Sequence, residues 1–121
     1  MDVRIKATDY QMTSETDAYL APRIQSLEKL LGADSDVARC EIELGKDAGR
    51  PRHGANMWFA EIHIKYPGGS VYARNNSESV YGAIDDVKEE VERQLRKGKR
   101  LHVRMMRRGG ALAKRLLRFG D

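Results

Sequence analysis

Five apolar residues, Val80, Ile84, Val87, Val91 and Leu95, recur at intervals of three and four along a stretch that is otherwise mostly charged. That spacing puts all five on one face of an α-helix. A helix with a single apolar stripe needs a second surface to lie on. Leu20, Ile24, Leu27 and Leu31 form another such stripe. For this earlier helix Thr13 or Ser14 is the N-cap, Glu15 and Asp17 sit in the first turn, and Gly32 ends it. Pro22 lies inside the pattern and removes one intrahelical bond, which predicts a kink or a late start. The later helix is expected to begin near Ser77 and to be interrupted at Gly98.

The surface that both stripes need is written at period two. Val3, Ile5 and Ala7 alternate with Arg4 and Lys6; Ala38, Cys40, Ile42 and Leu44 alternate with Arg39, Glu41 and Glu43. In a third stretch Trp58, Ala60, Ile62, Ile64 and Tyr66 face the core, with Trp58 buried, while Phe59, Glu61, His63 and Lys65 face out. Residues 45–54 read as a polar loop holding Pro51 and two arginines, and Pro67-Gly68-Gly69 as a turn before a fourth strand from Ser70 to Asn75. Short connections make strands two to four an antiparallel meander. The expected class is α+β, in the order β-α-β-β-β-α: a four-stranded sheet with two helices packed on one face, plus a basic C-terminal tail. Residues 1–100 form the domain and 101–121 a flexible tail.

Catalytic and metal chemistry find little support. Cys40, His53, His63 and His102 offer no pair at zinc-like spacing. Cys40 lies on an apolar strand face and reads as a core thiol, and His63 as a surface residue. Pro67-Gly68-Gly69 lacks the downstream Lys-Ser/Thr of a phosphate loop. The expectation is a protein without enzyme activity, cofactor or small-molecule substrate. One cysteine, no apolar run near the ~20 residues of a membrane span and no secretory signal at Met1-Asp2-Val3-Arg4 point to the cytoplasm.

The charge is unevenly placed. Of 22 basic and 18 acidic residues, nine basic and one acidic fall after Arg96, so the last 25 residues carry +8 and the rest −4. A basic segment on a near-neutral domain implies a polyanion partner, most often nucleic acid. On the later helix Asp85, Asp86, Glu89, Arg93, Arg96 and Arg100 point outward, acids first and bases last. That order suits the helix dipole. The dipole does not account for Arg104, Arg107, Arg108, Lys114, Arg115 and Arg118, which read as phosphate contacts. Ala111 to Leu117 can form a short amphipathic helix, disordered until bound. A different class of function stays open: an interaction module whose basic tail binds an acidic protein or a membrane surface.

The run Ser77-Glu78-Ser79-Val80-Tyr81-Gly82-Ala83-Ile84-Asp85-Asp86, continuing to Glu92-Arg93-Gln94-Leu95-Arg96-Lys97-Gly98-Lys99, resembles the last helix of the ribosome-hibernation family. That family comprises hibernation promoting factor and the ribosome-associated inhibitor, also called ribosomal subunit interface proteins. Ile5-Lys6-Ala7 through Met12-Thr13 and Arg23-Ile24-Gln25-Ser26-Leu27-Glu28-Lys29 are similar to it as well. The resemblance implies a non-catalytic protein that occupies the tRNA and mRNA channel of the small ribosomal subunit against its rRNA. Such a protein inhibits translation in stress and protects idle ribosomes. It implies binding through Arg23, Lys29, Arg93, Lys97 and Lys99, with Arg100 close by and Tyr81 at the family tyrosine. Ser26 and Glu90 stand where lysines are common in the family; Lys88 is near the second of these. Arg96 and the tail residues Arg104, Arg107 and Arg108 complete the candidate rRNA-binding set. The chain resembles the short form, without the C-terminal dimerisation domain, so a monomer or weak dimer is expected.

Overall fold

The computed structural model describes residues 1–47 and 57–107, and for 102–107 the backbone alone. Strand β1 (Asp2–Thr8) leads through a turn to helix α1 (Ser14–Leu31), a 3-10 turn follows at Gly32–Val37, and then come β2 (Arg39–Lys46), β3 (Trp58–Tyr66), β4 (Gly69–Ser77) and α2 (Val80–Arg107). The sheet order is β1-β2-β3-β4. β1 and β2 pair in parallel with α1 as their crossover, while β2, β3 and β4 form the expected antiparallel meander.

Local chemistry sets the element ends. The Thr13 hydroxyl accepts from the Thr16 amide at 3.1 Å and caps α1. Gly32, at φ 61°, ends the helix in the left-handed region, and its N–H donates to the Glu28 carbonyl. The helix begins at Ser14 in spite of Pro22. Pro22 and Ala18 both face solvent, so the carbonyl that loses its intrahelical donor there can turn to water.

Both stripes and the alternating strand residues close one core. Leu20, Leu27 and Leu31 of α1, and Val80, Ile84, Val87, Val91 and Leu95 of α2, lie on Cys40, Ile42, Leu44, Ala60, Ile62, Ile64, Val71 and Ala73. Register explains the layering: Ile5, Ile42, Ile62 and Ala73 are aligned across all four strands, as are Val3, Cys40, Ile64 and Val71. At Gly45 any Cβ would run into the Thr8 carbonyl of β1, so the strands meet there only because the residue is glycine.

Four details differ from the sequence reading. Ile5 is 41% exposed, because β1 is an edge strand beyond the cover of the helices. Trp58 is half-buried at the rim of the core, edge-on to Tyr10 with centroids 5.2 Å apart and with the Lys46 ammonium above its ring. Phe59, expected to face out, is buried on the outer side of the sheet, where the Arg74 guanidinium covers its ring at 4.0 Å. Gly98 does not interrupt α2, which runs on to Arg107 and so past residue 100. A mid-helix glycine costs about 1 kcal/mol against alanine. Here its bare α-carbon admits the Tyr66 hydroxyl, 3.2 Å from where a Cβ would sit, and good helix formers flank it. Pro51 and the two arginines of the 45–54 loop, Arg108, and the short helix expected at 111–117 lie outside the described residues.

Candidate nucleic-acid interface

Helices α1 and α2 lie side by side and parallel. Tyr19 and Arg23 meet Asp85, Ser26 meets Glu92, and the Lys99 ammonium donates to the Leu30 carbonyl at 3.2 Å, so partners ascend together along both chains. Both N-termini therefore share one end of the layer, and α1 finishes beside Lys99 while α2 runs two further turns to Arg107. The two dipoles point the same way, and in α1 the dipole is met by Glu15 and Asp17 in the first turn and Lys29 in the last, whereas the first turn of α2 holds no acid.

The candidate residues divide by what they touch. Arg23 is held: its Nε donates to Asp85 Oδ1 at 2.8 Å, its Nη1 to the Tyr19 carbonyl at 2.8 Å, and its guanidinium lies 3.4 Å from the centre of the Tyr19 ring. Lys88 and Arg96 share Glu92, one turn away from each. Lys88 is in direct contact with it and Arg96 is at 3.3 Å. Ser26 also donates to that carboxylate at 3.4 Å, which leaves Glu92 only 8% exposed. Arg93 clasps Glu90 with Nη2 at 2.7 Å and Nε at 3.0 Å. Ser26 and Glu90 thus serve internal pairs.

Titration follows these contacts. Burial pushes the Asp85 carboxyl up, but hydrogen bonds from Tyr19 and Arg23, with the charges of Arg23 and Lys88, outweigh it and hold the group below its ordinary range. Hydrogen bonds from Arg93 and Gln94 hold Glu90 below its range as well. The hydrogen bond to Asp85 raises the Tyr19 phenol. Burial pushes the Cys40 thiol up to about 12, in keeping with an unreactive core cysteine.

The other candidates are different. Lys29, Lys97 and Arg100 are exposed, and among the described residues none is paired with an acid. They lie near the level where α1 finishes and Lys99 meets the Leu30 carbonyl. Arg104 and Arg107 follow on the last two turns of α2. Lys29, Lys97, Lys99 and Arg100 thus share one level of the layer; Arg93 and Arg96 line a surface hollow together with Arg100 but, like Arg23 and Lys88, are paired with acids. On the outer face of the sheet, by contrast, bases and acids alternate: Arg4 and Arg39 flank Asp2, and Arg74 joins Asp47 at 2.7 Å and Glu61 at 3.3 Å. That face offers no excess charge to a polyanion.

Two residues of this layer carried no role in the sequence reading. Gln94 turns its side-chain amide onto the free edge of β4. It accepts from the Tyr72 N–H at 3.1 Å and donates to the Tyr72 carbonyl at 2.9 Å, which covers an edge that another strand could otherwise use. Tyr19 organises Arg23 and Asp85; its spacing of four from Arg23 was the only signal in the sequence.

Among the described residues no three potential metal ligands converge, and no helix is long and apolar enough to cross a membrane. Residues 3–102 match the family model described as Sigma 54 modulation protein / S30EA ribosomal protein. The fold is similar to that of the Protein Y N-terminal domain of Thermus thermophilus, at a TM-score of 0.64 and 18% identity over 80% of this chain and 98% of that one. It is also similar to a ribosomal subunit interface protein from Coxiella burnetii, at a TM-score of 0.64 and 15% identity over 82% of this chain and 98% of that one. No curated protein sequence matches the chain.

Proposed function

We propose, from the premise that this chain belongs to the family of Sigma 54 modulation and S30EA ribosomal proteins, that it binds the ribosome as a non-catalytic factor. It seats its helical layer in the tRNA and mRNA channel of the small subunit, with the C-terminal pole against rRNA phosphates. There it blocks translation and keeps idle ribosomes intact during stress. It works in the cytoplasm as a monomer or weak dimer. The observation that carries this reading is that Lys29, Lys97 and Arg100 are exposed and without acidic partners among the described residues, at the level where α1 finishes and Lys99 meets the Leu30 carbonyl. Desolvating a lysine or arginine that has no internal partner leaves no carboxylate exposed, so such residues are the ones available to phosphate. The sequence continues from the same end into its most basic stretch, including Arg108. The folded domain, with α2 running on to Arg107, carries the shape, and the basic residues that follow in the sequence add charge.

Sedimentation of the purified protein with purified small subunits tests this. One copy should bind per subunit, the affinity should fall as salt rises, and a purified translation system should be inhibited only at amounts comparable to the ribosomes. Failure to cosediment would sink the reading. So would inhibition far below stoichiometry or a covalent change in rRNA, either of which indicates an enzyme.

A further inference from the structure

The helical layer also carries an aromatic seam that the phosphate contacts do not use. Tyr19 of α1 and Tyr81 of α2 meet with ring centroids 4.8 Å apart and planes inclined by 48°. The core does not need them, since Val80 and Ile84 already seal it beneath. Tyr81 remains 36% exposed. We propose that this pair is a stacking platform for one unpaired RNA base. The proposal rests on the ribosome-binding reading above and names which part of the RNA this end of the layer takes.

The Tyr19 ring, against which Tyr81 lies, is held in place before any ligand arrives. The Tyr19 hydroxyl donates to Asp85 Oδ2 at 2.6 Å, and the Arg23 guanidinium covers one Tyr19 face at 3.4 Å while its Nε holds Asp85 Oδ1 at 2.8 Å. Side chains already fixed lose little entropy on binding, which is what makes an aromatic pair an efficient base acceptor. The surrounding charge selects a base over a phosphate. Arg23 is committed to Asp85 and Tyr19, and Lys88 to Glu92, which leaves a phosphodiester no unpaired cation beside the seam among the described residues. A neutral base needs none and can donate an exocyclic amino group to the Asp85 carboxylate. The platform and the cationic pole are joined by one helix. Eighteen residues separate Tyr81 from Lys99, five turns and about 27 Å at 1.5 Å per residue, so both lie on the α1 side of α2 and a single strand can lay its backbone on the pole and a base on the seam.

The test uses the full chain and purified small ribosomal subunits across a salt series. Tyr81→Leu keeps apolar bulk but removes the flat ring. It should weaken binding roughly 5- to 150-fold, the range of a lost base–aromatic stack, with the slope of log affinity against log salt unchanged. Tyr81→Phe should restore wild-type affinity. Irradiating the wild-type complex with ultraviolet light should join RNA to the peptide holding Tyr81, a readout that needs no variant to fold. The platform is overturned if Tyr81→Leu binds like wild type while Arg100→Ala weakens binding and flattens the slope, or if cross-links form only at the C-terminal pole. Absence of wild-type binding would instead remove the ribosome reading itself, and the platform with it.

Discussion

Where α1 and α2 begin, Arg23 lies between Tyr19 and Asp85, and further along Lys88 and Arg96 share Glu92. Where α1 finishes against α2, Lys29, Lys97 and Arg100 have no ion pair with an acid among the described residues. The residue types are alike at both ends, but their availability is not. A helical cation three or four residues from a glutamate must release that partner before it can hold a phosphate. The pair itself is worth only about 0.2–1 kcal/mol at a surface, yet that cost recurs at every paired site. A run of basic residues is therefore a poor guide to binding strength until its carboxylates are placed.

The largest expected effect separates the two ends directly. Replacing Lys97 and Arg100 together by glutamate should weaken binding to small subunits by more than any single change at the paired end. It should also flatten the slope of log affinity against log salt by about 1.5 units, at roughly 0.7–0.9 for each phosphate no longer neutralised. Arg93→Ala, which removes a cation already clasped by Glu90, should move that slope by less than about half a unit. Both follow from one salt series by sedimentation. Equal slopes for the two variants would erase the distinction between the ends.

Glu92→Gln should move charge from one class to the other. Glu92 is nearly buried and is the acid that Lys88 and Arg96 share, with Ser26 donating to it. Without its charge the two cations become free for phosphate, so ribosome affinity should rise and the salt slope steepen. Folding stability should fall by about 1 kcal/mol: hydrogen bonds to a charged group contribute more than this, but both cations reach water and are screened. Urea unfolding and the salt series read the two effects separately. Tighter binding with lower stability is the outcome that confirms the charges were held in reserve.

Periodicity in the sequence was enough to place the layers. The stripe from Val80 to Leu95 and the alternation from Trp58 to Tyr66 each admit one arrangement that buries them, and the helices lie on the sheet accordingly. What escaped was set by neighbours distant in the chain. Phe59 reads as outward by period two, and it is buried by neighbours from the adjacent strands, Arg74 over its ring and Gly45 leaving room beside it. Ile5 reads as core, and only its place on the sheet edge exposes it. Gly98 reads as a stop because glycine disfavours helix, and only the Tyr66 hydroxyl gives it a packing reason inside one. The candidate interface divides the same way. The Glu90–Arg93 and Glu92–Arg96 pairs follow from spacings of three and four and were open to reading. The Arg23–Asp85 pair spans 62 residues, and nothing short of the fold brings it together.

The smallest effect concerns that long-range pair and is best seen through pH. The Asp85 carboxyl is held below its ordinary value of 3.8, because the hydrogen bonds from Tyr19 and Arg23 and the nearby cations exceed the upward push of burial. A carboxyl with a depressed folded pKa contributes stability that is fully present above its unfolded pKa and is lost as pH falls through the folded one. Asp85→Asn should therefore lower stability at pH 7, by less than about 1 kcal/mol because half of the side chain is exposed and screened. The gap between variant and wild type should close as pH is taken below about 4. The pole has no equivalent: removing Lys97 or Arg100 should leave the acid limb of the stability curve unchanged, since neither is paired with a carboxylate among the described residues. Urea midpoints measured from pH 7 to pH 3 for wild type, Asp85→Asn and Lys97→Ala distinguish these cases. A gap for Asp85→Asn that persists unchanged at pH 3 would mean that Tyr19 and Arg23 hold the seam without the carboxylate charge.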